Sequence, residues 1–318
     1  MRPTGRLHLG NLLGALENWV RLQDDYDCFY FVADWHALTT EIPAKGELAA
    51  NTLEVAADWL AAGLDPARST LFVQSLVPEH AELHLLFSML TPVSWLERVP
   101  TYKEMVEQLG LESPCYGLLG YPLLQSADIL IYKPRYVPVG VDQAPHVELT
   151  REVARRFNHL FGPVFPEPEV LLTVIPKVPG TDGRKMSKSY DNAIYLADPP
   201  EVTVPKIRTM VTDPARKRRM DPGNPEVCPV FDLHRIFTPD AEREAVAQGC
   251  RTAGIGCLDC KGVLLTHLTP RLDAIRERRL DAAANGERLR EVLHDGSVRA
   301  RVSARETLAE AKAAVGIG

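Results

Sequence analysis

Two lysines, Lys185 and Lys188, stand with the hydroxyls of Ser187 and Ser189 in the stretch Lys185-Met186-Ser187-Lys188-Ser189. They follow the turn-rich segment Pro179-Gly180-Thr181-Asp182-Gly183-Arg184, whose residue types let a loop present its side chains together. Two ammonium groups and two small hydrogen-bond donors suit the oxygens of a polyphosphate. Nucleotidyl transfer needs that help, because negative charge builds on the departing pyrophosphate and a cationic loop neutralises it. Standing alone, such a cluster is ordinarily a solvated basic loop. It gains meaning from a second segment at the front of the chain.

That segment is Arg2-Pro3-Thr4-Gly5-Arg6-Leu7-His8-Leu9-Gly10-Asn11. Its glycines let backbone approach a ligand closely. Leu12, Leu13, Leu16, Trp19, Val20 and Leu22 then recur at helical spacing, which predicts one helix running from about Leu9. His8 and Asn11 would sit at its N-terminus, where free N–H groups and the dipole favour anions. A third candidate lies at 117–132. Pro122 suits a first helical turn, and Tyr121, Gln125, Asp128 and Tyr132 fall on one stripe of a helix otherwise made of Leu, Ile and Ala. A helix with one wet face would look the same, but its other flanks are apolar. Buried polar groups need partners, and a ligand carrying an N–H donor and an ammonium would supply them.

Four late cysteines, Cys228, Cys250, Cys257 and Cys260, follow the pattern C-x21-C-x6-C-x2-C. The last spacing suits two thiolates on one metal, and the other two make a four-thiolate centre, zinc or [4Fe–4S], a candidate. Scattered buried cysteines are the alternative. Cys28 and Cys115 read as packing residues.

The elements that must position these groups are visible as patterns. Strand-like runs at Phe29–Ala33, Ser69–Gln74 and Tyr136–Val139 alternate with helical runs at Leu48–Leu64, Glu79–Leu90 and His146–Phe157. Such alternation predicts an α/β class: a Rossmann-like parallel sheet with ligands at the carboxyl ends of its strands. Strand signals vanish after about residue 190, and the Ala/Leu/Arg/Glu-rich tail predicts helix. The expected division is a catalytic region 1–190 and a helical region 191–318. A phosphate-binding turn in a β/α unit wants a strand just before it, yet here the turn begins at residue 2. Either the recorded start is internal to a longer chain or the sheet lacks its first strand; the first reading is preferred.

Bulk properties agree. A chain of 318 residues with 45% hydrophobic content can bury one large core and a smaller one. No apolar run approaches the ~18–20 residues of a membrane span, and the start lacks the layout of a secretory signal, so a cytoplasmic location is expected. A net charge of -6 argues against indiscriminate coating of nucleic acid. Arg216-Lys217-Arg218-Arg219 could still meet phosphates locally.

Together, His8-Leu9-Gly10-Asn11 and Lys185 to Ser189 resemble the two signature motifs of class I aminoacyl-tRNA synthetases. Met1 to Gly5, Asp34-Trp35-His36, Tyr121 to Asp128, Gly140-Val141-Asp142-Gln143 and His146 to Arg151 extend the resemblance to the bacterial tryptophanyl-tRNA synthetases over essentially the whole chain. The resemblance implies a ligase that joins L-tryptophan to tRNA(Trp) through tryptophanyl-adenylate, with Mg-ATP as co-substrate, acting as a homodimer without a membrane. It implies that His8, Asn11, Lys185 and Lys188 are catalytic, and that Asp128 accepts the indole N–H, as a carboxylate can. Tyr121 and Gln143 would hold the amino and carboxylate ends, with His36 and Gln125 in the pocket. Arg2, Pro3, Thr4, Gly10, Asn11, Gly140, Val141, Asp142, Ile175 and Lys185 to Ser189 would contact ATP. The four cysteines resemble those that hold a [4Fe–4S] cluster in a subset of the family, with one gap shorter by a residue, so zinc stays open. Arg2, Gln125 and Val141 replace the Gln, Met and Glu of many members. Two other readings remain: a tyrosyl-tRNA synthetase relative, and a non-catalytic tRNA-binding paralogue.

Overall fold

Strand β1, Cys28–Val32, alternates buried and half-buried side chains, whereas β2, Ser69–Val73, is buried at every position. Parallel pairing is the arrangement that lets helices cover both faces of such a strand. The computed structural model describes residues 1–40, 42–108, 110, 112, 114–172 and 178–317. It pairs β1 with β2 in parallel, from Cys28 opposite Ser69 to Val32 opposite Val73. A second parallel pair joins β3, Tyr136–Val139, to β4, Glu169–Leu172. The expected parallel, helix-covered strands are present as these two pairs, whose facing edges line a cavity of about 540 Å³. Met1 lies beside the end of β1: its amino group donates to the Phe31 carbonyl at 2.6 Å, and Ala33 N–H donates to the Met1 carbonyl at 2.8 Å.

The helix after the front segment is not uniform. It begins as α1, Leu9–Asn11, loosens into a π-turn over Leu12–Leu16 and continues as α2, Glu17–Leu22. Such bulges concentrate at functional sites because they shift which side chains face a ligand. Helix α3, Asp34–Ala37, caps β1; α4, Glu47–Ala62, crosses to β2. Helices α5, Glu79–Ser88, α6, Val93–Glu97, α7, Pro100–Gln108, and α8, Tyr116–Leu130, build the side that carries Asp128. Helix α9, Ala144–Phe161, lies between β3 and β4. No strand occurs after residue 190 among the described residues. The helices there are α10, Pro200–Thr209, α11, Pro229–Phe237, α12, Asp240–Arg251, α13, Cys257–Ala284, and α14, Gly286–Val315.

The late helices pack back onto the first half. In α14 a Cβ on Gly296 would meet the Leu71 carbonyl oxygen at 1.8 Å, so only glycine lets this helix lie on β2. The next residue, Ser297, accepts from Val73 N–H at 3.3 Å. Buried Glu79 of α5 accepts from Arg301 at 2.7 Å and Arg305 at 3.0 Å, both on α14. One apolar cluster unites Leu7, Leu12, Trp59 and Leu71 with Ile194, Leu233, Leu264 and Leu272, so burial of apolar surface joins the front segment to the helical tail.

Candidate active site

The two motifs meet through backbone pairing. Leu9 N–H donates to Ile194 O at 3.0 Å and Leu196 N–H to Leu7 O at 2.9 Å, which makes an antiparallel bridge between His8 and Tyr195. Just upstream, Pro179 bridges Lys185, with Gly180 N–H on Arg184 O at 2.7 Å and Met186 N–H on Val178 O at 3.2 Å. Asn192 fills the inside of this loop. Its amide donates to Asp182 Oδ1 at 2.7 Å and accepts from Ser187 N–H at 2.8 Å, and a Cβ on Gly180 would strike it at 2.2 Å. Asn192 thereby shapes the lysine loop from within.

Lys188 reaches the front segment. Its Nζ donates to Thr4 Oγ1 at 3.5 Å and lies 3.7 Å from where a Cβ on Gly5 would stand. Met186 is buried behind it, Ser187 accepts from Ser189 N–H at 3.3 Å, and the side chains of Lys185 and Ser189 are exposed. Pro3 is buried, whereas Arg2 and Thr4 are exposed. Asn11 Oδ1 accepts the His8 N–H at 3.0 Å, which fixes the start of α1. The His8 ring folds over Gly10, where a Cβ would meet it at 2.9 Å. Burial, helped by the nearby Lys188 charge, pushes the His8 pKa down to about 4, so the ring is neutral at neutral pH. Its Nδ1 is buried without a hydrogen-bond partner among the described residues. Burial also lowers the Lys188 pKa, against the pull of the Asp58 charge. Both groups are therefore partly desolvated, a setting that suits contact with an anion.

The other end of the site is a cavity of about 510 Å³, which reaches the front segment at Met1 and Arg2 and is lined further by Trp19, Phe31, His36, Tyr121, Gln125, Asp128, Gln143 and His146. Asp128 is 2% exposed, and its oxygens are fully engaged. Oδ1 accepts from His80 Nδ1 at 2.6 Å and Gln74 Nε2 at 2.8 Å; Oδ2 accepts from His36 Nε2 at 2.7 Å and Gln74 Nε2 at 3.0 Å. Behind His80, Tyr132 bonds its Nε2 at 2.7 Å. Burial alone would raise the Asp128 pKa, but the bonds and charges of His36 and then His80 hold it well below the usual carboxylate range. It stays a carboxylate at every physiological pH. Tyr121 bonds Thr101 Oγ1 at 2.6 Å and His146 Nε2 at 3.1 Å.

The expected stripe is thus divided. Tyr121, Gln125 and Asp128 line the cavity, whereas Tyr132 lies past the end of α8 and serves His80 instead. Gly140 is buried at the start of the short turn Val141–Gln143. Gln143 donates to Asp142 at 3.1 Å. Val141 is 78% exposed and lies outside the cavity lining, so its apolar side chain does not set the cavity's polarity. Ile175 falls outside the described residues. Gln74, His80, Thr101 and Asn192 carry no local motif, and no pattern in the sequence singled them out.

The four cysteines bring α11, α12 and α13 together: Cys228 caps α11, Cys250 lies near the end of α12, and Cys257 and Cys260 open α13. Among the described residues no group of three or more His, Cys, Asp or Glu side chains is arranged to hold a metal ion. The thiols nevertheless feel one another's charge. Burial, with the charges of Cys228, Cys250 and Cys257, pushes the Cys260 pKa up to about 12. His234 Nε2 lies 3.3 Å from Cys260 Sγ, and Arg216 Nη1 3.9 Å from Cys250 Sγ. Arg216 is itself buried and bonded to Ile255 O at 2.6 Å and Arg219 O at 3.0 Å. It is therefore no free contact for phosphates, unlike its exposed neighbours Lys217 and Arg218. Cys115 is exposed, which corrects its reading as a packing residue; Cys28 is buried as expected.

Comparison with known proteins places this geometry in context. Residues 1–272 match the family described as tRNA synthetases class I (W and Y). A Tryptophan--tRNA ligase of Thermotoga maritima is 52% identical over 320 residues, covering 100% of this chain and 98% of its own. One from Aquifex aeolicus is 44% identical over 388 residues with the same coverage. The solved tryptophanyl-tRNA synthetase of Campylobacter jejuni, complexed with ADP and tryptophan, superposes with a TM-score of 0.89 at 34% identity, over 100% of this chain and 98% of that one.

Proposed function

The chain belongs to the class I tRNA synthetases of the tryptophan and tyrosine branch, and we propose that it is a tryptophan–tRNA ligase. It activates L-tryptophan with Mg-ATP and passes the aminoacyl group to tRNA(Trp). One observation carries this reading: the glycine-bearing front segment and the lysine loop meet at Lys188 and Thr4, beside a cavity whose buried base is the Asp128 carboxylate.

The tryptophan carboxylate attacks the α-phosphorus of ATP in line. A new C(O)O–P bond forms, the α–β bridging P–O bond breaks, and the pyrophosphate leaves with its electron pair. No covalent enzyme intermediate is needed, so rate comes from positioning and charge stabilisation. Lys188, Lys185, Ser187 and Ser189 serve the pyrophosphate from the loop side, while His8 and Asn11 serve it from the helix start. Arg2, Pro3, Thr4, Gly10 and Met186 wall the nucleotide, with Gly140, Val141 and Asp142 at its far end. In the cavity the indole N–H goes to Asp128. A carboxylate offers about four acceptor positions, and all four are taken, so His36, the half-buried partner, yields its place on Oδ2. Tyr121 and Gln143 take the amino and carboxylate ends, beside Gln125. A terminal ribose hydroxyl of the tRNA then attacks the activated carbonyl, and AMP leaves.

Residues 1–190 form the catalytic region and 191–318 the tRNA-facing helical region, with Lys217 and Arg218 as accessible phosphate contacts. The molecule works as a homodimer in the cytoplasm. Leu85 of α5 and Met89, the residue just past its end, are exposed four positions apart; Leu76 before the helix and Val93 at the start of α6 are exposed too, and a second copy covers these apolar side chains. Among the described residues no helix is long and apolar enough to cross a membrane.

The four cysteines hold a [4Fe–4S] cluster in preference to zinc. The donor set suits sulfur ligation, and a cationic centre would offset the burial and, after it, the mutual repulsion that raise the Cys260 pKa. Cys228, Cys250, Cys257 and Cys260 would hold such a cluster, which would supply a structural link among α11, α12 and α13 and no chemistry to adenylation. Iron and sulfide content with an anaerobic absorption spectrum tests this part; one zinc per chain without iron would reverse the preference.

Side-by-side ATP–pyrophosphate exchange tests the main reading. Tryptophan should support exchange and tyrosine should not. Preference for tyrosine would make the chain a tyrosyl relative, and no exchange with either would make it a non-catalytic tRNA binder.

A further inference from the structure

Helix α13 sends two arginines into the frame around His8. Asp58 of α4 is 0% exposed. Its Oδ2 accepts the Leu7 N–H at 2.9 Å, one residue before His8, and its Oδ1 accepts Arg279 Nε at 2.6 Å. Arg279 also donates from Nη2 to Glu54 at 2.6 Å, and Glu54 accepts Arg6 Nε at 3.2 Å. One turn earlier on the same face, Arg276 Nε donates to Asp198 O at 2.7 Å. The Asp198 carboxylate accepts the Tyr195 N–H at 3.1 Å and Lys206 Nζ at 2.7 Å, and Tyr195 is the bridge partner of His8. Both backbone segments that fix His8 are therefore held, through one acidic residue each, by one helix whose arginines lie 221 residues from Asp58 and 78 from Asp198 in sequence.

A buried carboxylate with a single charged partner is highly sensitive to loss of that partner. Without Arg279, Asp58 would take up a proton, its bond to Leu7 N–H would weaken, and the His8 backbone would lose its anchor. Displacement of a reacting group by ~1 Å can cost on the order of 100-fold in rate. We propose that Arg279 and Arg276 of α13 are positioning residues for the nucleotide end of the site: the helical region sets the placement of His8 without touching substrate. The inference rests on the reading of His8 and Lys188 as the ATP-activating pair.

The test is exchange kinetics on the full-length chain with Arg279→Ala, Arg279→Lys and Arg276→Ala, alongside tryptophan binding measured without ATP. In Arg279→Ala the KM for ATP should rise on the order of 10-fold, with the Kd for tryptophan within about twofold and most of the effect restored by Arg279→Lys. Arg276→Ala, which removes one bond to a backbone carbonyl, should move the ATP KM in the same direction by less. It keeps the test alive if Arg279→Ala does not fold. An unchanged ATP KM with a lowered melting temperature would overturn the inference, as would equal loss of ATP and tryptophan affinity. Absence of exchange in the unaltered protein would instead remove the functional reading beneath it.

Discussion

The two ends of the site are built on opposite principles. At the end where the two motifs meet, charged and polar groups are sparsely bonded: His8 Nδ1 is buried and unbonded among the described residues, Lys188 makes one long contact of 3.5 Å, and Lys185 is exposed to solvent. At the cavity end, every acceptor position on Asp128 is filled by His36, Gln74 or His80, and Tyr132 holds His80 from behind. The first arrangement leaves polar groups available to an anion. The second is held in place by its own partners, and a ligand N–H would reach Asp128 by replacing His36; an acceptor of that kind suits discrimination, because a site that receives an N–H rejects a ligand without one far more strongly than it rejects a mere change of size.

That contrast can be broken by substitution. The largest effect should come from Asp128→Asn, which removes the charge and turns one acceptor oxygen into an NH2 donor, so that either His36 or His80, with one of the two Gln74 contacts, loses its acceptor. Its kcat/KM for tryptophan in pyrophosphate exchange should fall on the order of 1,000-fold or more, with the ATP KM nearly unmoved. Lys188→Ala should lower the exchange rate on the order of 100-fold and leave tryptophan binding intact in a direct titration. Comparable loss of tryptophan affinity would erase the distinction between the two ends. Asn192→Ala, which hollows the lysine loop without touching either lysine side chain, should reduce exchange by about 10-fold, chiefly through the ATP KM.

The smallest effect concerns pH and stability. His8 and His234 are each pushed from the ordinary 6.5 down to about 4, by burial first. Their neutral forms are favoured by folding, so the unfolded chain binds more protons between those values. Their contribution is present above pH 6.5 and is lost as pH falls toward 4. The melting temperature should drop across that window. His8→Asn should flatten part of the drop without altering tryptophan affinity at neutral pH.

Local patterns made much of this legible. The periodicity of 48–64 and 79–90 marked α4 and α5, and alternating or continuous apolar runs marked β1, β2 and β3, because burial on one face leaves its period in the residue order. The two chemical motifs were legible for the same reason: each is contiguous. The short, half-exposed β4 left no such trace, and the π-turn at 12–16 has the composition of ordinary helix. Residues that act across long separations were invisible. Gln74 and His80 lie 54 and 48 positions from Asp128, and Arg279 lies 221 from Asp58. Nothing in one sequence pairs them. Gln125 and Val141 look like equivalent departures from a family pattern, yet Gln125 lines the cavity and Val141 faces solvent; side-chain direction had to come from the fold.

The most direct measurement is pyrophosphate exchange by the unaltered protein with tryptophan and with tryptophan methylated at the indole nitrogen. If Asp128 receives the indole N–H, the methylated compound should be activated on the order of 1,000-fold less efficiently, at an unchanged KM for ATP. Equal activation of the two would contradict the account.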